Sequence, residues 1–139
     1  DDGLWLYRKI LPIGSRNLDN LAFIGSELTS LNNMETVYVQ SKWLVEVICG
    51  KMQLPSDEEC KRDLERRKKY YRNTFPSNPE LASQGVIMRP LMDLYLNDMK
   101  ISRYRKFRNG KSNFIRNLFN ELFEIYIPSD YIDLESAES

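Results

Sequence analysis

The chain has 139 residues, enough for one domain with its own core; 42% are hydrophobic, 29% are charged, and 20 basic residues balance 20 acidic ones. Zero net charge provides no global field that draws the chain to nucleic acid or anionic lipid, and no apolar run approaches the ~20 residues needed to span a bilayer. Histidine is absent, which excludes Ser-His and Cys-His nucleophile activation and His-containing zinc sites. The six glycines, at 3, 14, 25, 50, 85 and 110, nowhere form a GxGxxG or Walker loop. Cys49 and Cys60 lack CxxC spacing, which favours reduced thiols in a cytoplasmic setting over a disulfide framework. No apolar h-region of a signal peptide follows Asp1 and Asp2.

In chain order, Leu4 to Leu11 followed by Pro12 reads as a strand near 4–10, and Gly14 to Asp19 as a polar turn. Leu21, Ala22, Phe23 and Ile24 form a continuous apolar run, the pattern of a short strand covered on both faces, which Gly25 ends. A loop over 26–34 leads into a helix near 34–49, with Val37, Leu44, Val47 and Ile48 on one face and Gly50 as the stop. Ser56 and Glu59 form a capping box for a helix near 57–73, with Asp57 and Glu58 at its positive end. That helix buries Cys60, Leu64 and Tyr71, together with Phe75 just beyond it, and turns Lys61, Arg62, Arg66, Arg67, Lys68 and Lys69 to water. Pro90 opens a helix near 90–99 with Leu91, Leu94, Tyr95 and Met99 as its stripe. A last helix near 113–126 carries the strongest apolar face in the chain, Phe114, Leu118 and Leu122 beside Ile115, Phe119 and Phe123. Leu134 to Ser139 reads as a frayed acidic end.

Two basic stretches invite a nucleic-acid reading. Arg66 to Lys69 stands among interleaved acids on a neutral chain, so a solvated helix face is favoured. Arg103 to Lys111 interleaves Tyr104 and Phe107 with basic residues, a pattern that can stack bases, but a linker with two aromatic anchors is the better reading.

Gln40 is the candidate binding residue, because it falls in the middle of the apolar face of its helix. A buried amide without a partner costs roughly 1–3 kcal/mol. A backbone carbonyl or buried water is one solution. A ligand is the other, since in open α/β sheets ligands sit beyond the carboxyl ends of strands near helix N-termini, where Gly25, the following loop and Gln40 would lie.

The order of Tyr7, Arg8, Pro12, Asn20 to Gly25, Gln40 to Trp43, Gly50, Lys51 and Leu54 to Ser56 resembles the C-terminal portion of the flavin-containing monooxygenases. That family carries YR, then NLAFIG, then a helix with Q-x-R-W, then GK and LPS. The stretch from Lys111 to Tyr131 is similar to the family's closing helix and PSDY-like tail, so the likeness spans nearly the whole chain. Tyr38 departs from it, standing where similar sequences tend to have a carboxylate.

The resemblance implies an α/β, helix-rich chain, the C-terminal part of a Rossmann-like FAD/NADP-binding fold with an incomplete sheet. Residues 1–52 would be a strand–loop–helix piece of the FAD-binding domain, and 53–139 a C-terminal helical region packed on it. The activity implied is oxygenation of a soft nitrogen or sulfur nucleophile, or of a carbonyl compound, by FAD, NADPH and dioxygen. Gly25, Asn33 and Gln40 would approach the flavin, with no proton-transfer residue and no metal ligand in the chain. The missing glycine fingerprints imply that residues 1–139 alone hold neither cofactor tightly, and that the partners are an N-terminal part of the same fold and a small-molecule substrate. A catalytically inactive remnant acting as a helical protein-interaction module is the alternative, with Leu21 to Ile24 as an exposed apolar strand that invites self-association.

Overall fold

A computed structural model describes residues 5–14, 20–26, 33–77, 88–106 and 114–131. Among them are four α-helices, α1 (Asn33–Ile48), α2 (Asp57–Thr74), α3 (Met88–Asp98) and α4 (Phe114–Phe123), and a 3-10 turn over Pro128–Tyr131.

Local chemistry accounts for several helix ends. Ser56 accepts a hydrogen bond from the Glu59 N–H, and the Glu59 carboxylate accepts one from the Ser56 N–H, so α2 begins in a reciprocal capping box. Helix α1 ends with Gly50 at φ 70°, the Lys51 N–H bonding back to the Glu46 carbonyl and the Gly50 N–H to that of Val47. Helix α3 closes the same way with Lys100 at φ 55°, Ile101 bonding to Leu96 and Lys100 to Asn97. A lysine there meets steric cost that glycine would not, so the closure is held from the core side by buried Met99 and Ile101.

The expected α/β fold with an incomplete sheet is overturned: the described residues contain no strand and no sheet. The segment expected as a strand at 4–10 folds back on itself. Arg8 and Lys9 take φ 52° and 56°, and Tyr7 faces Leu11 in an isolated antiparallel bridge. Among the described residues, the backbone from Leu21 to Ile24 makes one bond to a neighbouring segment, from the Phe23 N–H to the Ile10 carbonyl at 2.8 Å. A strand needs a ladder of such bonds. The apolar run that resembled a doubly covered strand lies against the folded-back segment instead, with Ala22 packed on the core and Leu21 and Ile24 about 40% exposed.

The core brings together Tyr7 and Ile10 from the folded-back segment, Val39 and Trp43 from α1, Cys60 from α2, and Leu91, Met92, Tyr95 and Leu96 from α3. Helix α1 buries Thr36, Val39, Gln40 and Trp43, spaced i, i+3, i+4 and i+7, which is a stripe rotated from the expected one. Ile48, expected on that face, is exposed. On α2, Cys60 and Tyr71 are buried as expected, whereas Arg67 and Lys68 are partly buried rather than turned to water. No helix of the described residues is long and apolar enough to cross a membrane.

Candidate functional site

The densest polar constellation is built around Arg8. Its own backbone and that of Lys9 lie in the left-handed region, which costs non-glycine residues roughly 1–2 kcal/mol each and persists only where the surroundings impose it. Three contacts impose it here. The guanidinium meets Asp98 at the end of α3 through two bonds, Nε to Oδ2 at 2.5 Å and Nη2 to Oδ1 at 2.8 Å. It also donates from Nη1 to Asp63 of α2 at 2.9 Å. The Arg8 carbonyl accepts the Tyr95 hydroxyl at 2.6 Å.

Around this centre α1, α2 and α3 all contribute groups. The Trp43 indole N–H of α1 donates to Asp98 Oδ2 at 3.0 Å, and its ring lies 6.4 Å from Tyr7 and 6.2 Å from Tyr95. Asp63 is shared with Arg66 at 2.5 Å and Arg67 at 2.7 Å along α2. Burial opposes the Arg8 charge, but the hydrogen bonds and field of Asp98, with smaller contributions from Tyr7 and Asp63, outweigh it and raise the guanidinium above its ordinary pKa. Burial pushes the Tyr7 phenol up to about 12, partly offset by the neighbouring Arg8 charge. Charge-assisted bidentate geometry is the strong form of such contacts, and here it clamps together segments 90 residues apart.

Gln40 sits beside this centre, fully buried. Its Oε1 accepts the Gly25 N–H at 2.9 Å, and its Nε2 donates to the Tyr95 hydroxyl at 3.1 Å. Two of the three residues expected at a flavin are therefore brought together, bonded to each other. Gly25 has φ 69°, and a Cβ there would stand 3.1 Å from Val37 Cγ2. A turn and a close approach to α1 thus both require glycine at that position. Asn33 is the first residue of α1, and its side chain lies outside the described residues. A flavin could take the Gly25 N–H or the Gln40 amide only by breaking a contact within the chain. As arranged, Gly25 and Gln40 do not fit the cofactor.

Sequence reasoning reached Gln40, and Trp43 three residues on carried a helical spacing signal that could have located the true stripe. It missed Asp63, Tyr95 and Asp98 as partners, because nothing local in a sequence links position 8 to positions 63 and 98.

A concavity of about 340 Å³ lies between α3 and α4 and is lined by Asp93, Arg103, Tyr104, Glu121, Tyr126 and Tyr131, among others. Its groups are engaged with neighbours: the Arg103 guanidinium stands over the Tyr104 ring at 5.1 Å, Tyr126 stands 6.1 Å from Tyr131, and Glu121 accepts the Lys106 backbone N–H. Among the described residues no group of three or more Cys, Asp and Glu side chains is arranged to hold a metal ion.

No protein-family model matches the chain, and no match was found among curated proteins or solved structures.

Proposed function

We propose that these 139 residues are the C-terminal part of a flavin-containing monooxygenase, serving as a packed scaffold for nucleotide-binding parts supplied outside this sequence. One observation supports the reading: three of the stretches that carry the resemblance meet at one place. Tyr7 and Arg8 lie against Trp43, Gly25 is bonded to Gln40, and Gln40 and Arg8 share the hydroxyl of Tyr95. Residues 7–8, 21–25 and 40–43 thus form one interdependent unit, which gives a physical reason for them to occur together in this order. In such an enzyme NADPH, FAD and dioxygen would oxygenate a soft nitrogen or sulfur nucleophile or a carbonyl compound. The chain's own residues would exclude water and hold the Gly25 turn in place.

The test lies in the coding sequence around these residues and in the longer protein it encodes. Two in-frame GxGxxG units and a purified longer protein that holds FAD and oxidises NADPH are expected. Residues 1–139 alone should hold neither cofactor tightly, since even micromolar affinity needs about 8 kcal/mol and the chain contains no pyrophosphate cradle. A longer protein without flavin, or without either glycine fingerprint, overturns the proposal. The second reading, a helical protein-interaction module without catalysis, is favoured by the outward apolar face of α4.

A further inference from the structure

Helix α4 is amphipathic, yet it is mounted with its polar edge inward. Asn117 is buried, Asn120 and Glu121 are partly covered, and Glu121 Oε2 accepts the Lys106 backbone N–H at 3.0 Å. The opposite side presents Ile115 (73% exposed), Leu118 (41%), Phe119 (59%), Leu122 (66%) and Phe123 (69%), continued beyond the helix by Ile125 (78%). Phe119 and Phe123 lie 4.7 Å apart at the surface. A helix free to choose would turn this side to the core.

We propose that this face is the dimerisation surface of the protein, occupied by the same face of a second copy. The size fits. Six side chains of this kind, exposed to this degree, leave roughly 700 Å² of apolar surface in water, more than the largest patch of an ordinary monomer and close to the ~800 Å² per partner of a standard interface. The composition fits as well. The six side chains carry no charge, so the face offers nothing to a charged partner, and it is chemically self-complementary, as a two-fold interface requires. Two copies approach without long-range repulsion because the chain's formal net charge is zero. A lipid surface is less suited, since α4 carries a single basic residue, Arg116, where interfacial helices use a cluster of them. The site differs from the expected one at Leu21 to Ile24, whose end residues are only about 40% exposed. The proposal rests on neither functional reading above.

Sedimentation velocity of the 139-residue chain across low to high micromolar concentration tests it. The expected particle has twice the chain mass of 16.4 kDa. Phe119→Glu and Leu122→Lys should each weaken self-association by about tenfold or more, while Leu21→Glu should leave it unchanged. Helix content by circular dichroism should stay constant in all three, because the substituted side chains already face water. Overturning results are a chain that stays monomeric throughout, α4 variants that associate like the parent, or dissociation by Leu21→Glu. Loss of helix in the α4 variants would equally overturn it by showing those side chains packed within the monomer. Monomeric chain that instead sediments with phosphatidylcholine vesicles assigns the face to lipid and ends the proposal.

Discussion

The Arg8 centre and helix α4 handle their chemistry in opposite ways. At the centre a guanidinium, two carboxylates, an amide and an indole N–H are drawn inside, and each finds a complement within hydrogen-bonding distance. At α4 the strongest apolar face in the chain is left outside. Burying the polar set is tolerable because the charges are paired and the donors matched, so the desolvation cost is offset group by group. Leaving the apolar set exposed has no such internal compensation. The first region is thus explained by the chain itself and the second by something that joins it. The difference teaches that burial alone does not reveal which residues hold a fold together and which await a partner.

The largest test of this contrast is Arg8→Met. It strands the Asp98 carboxylate, while Asp63 retains Arg66 and Arg67, and should lower stability by about 3–5 kcal/mol in urea unfolding. The double variant Arg8→Met/Asp98→Leu should cost less than the single one, since it removes the abandoned charge. A single-variant loss below about 1 kcal/mol would mean that the centre is no more consequential than a surface ion pair.

Alkaline titration gives the next effect. Below pH 10 the Tyr7 phenol is neutral in both folded and unfolded chains and contributes no pH dependence. Between pH 10 and about 12 the unfolded chain releases the proton while the folded chain keeps it, so stability falls as pH rises through that window, by up to about 2–3 kcal/mol. Burial also raises the Cys60 thiol, which adds a loss of the same sign beginning nearer its ordinary value of 9.0. Unfolding free energies measured across this range should show the upper part of the fall disappear in Tyr7→Phe. A fall that persists unchanged would place its origin away from the centre.

Gln40→Leu should cost about 1–3 kcal/mol, because at this fully buried position it removes both the donor to the Tyr95 hydroxyl and the acceptor of the Gly25 N–H. Differential scanning calorimetry reads this as a lower Tm. An unchanged Tm, with loss of FAD from a longer protein, would return Gln40 to the role of a ligand residue and dissolve the distinction between structural clamp and binding site.

At the outward region the effect on folding is smallest. Phe119→Glu, measured at concentrations where the chain is monomeric, should shift the unfolding free energy by less than about 0.5 kcal/mol. A loss of several times that size would show Phe119 packed within the chain and erase the contrast from the other side.

The sequence by itself determined the helices, because their signals are local. The capping box at Ser56 and Glu59, the stop at Gly50 and the apolar spacing after Pro90 each act within a turn or two, and α1 to α4 stand within a few residues of where these place them. Burial of Gln40 was legible too, although its partners were not. Only the tertiary structure decided that Tyr7 to Leu11 closes on itself instead of extending, since Arg8 is held in its left-handed conformation by Asp63 and Asp98 from distant helices. It also decided that Leu21 to Ile24, among the described residues, bonds its backbone to Ile10 and joins no ladder, because a continuous apolar run has the same pattern under a helix as within a sheet. For α4, periodicity specifies which residues share a face. Whether that face points to the core or to another molecule depends on what the other helices have already filled, and here α1 and α3 complete the core around Trp43 and Tyr95 without it.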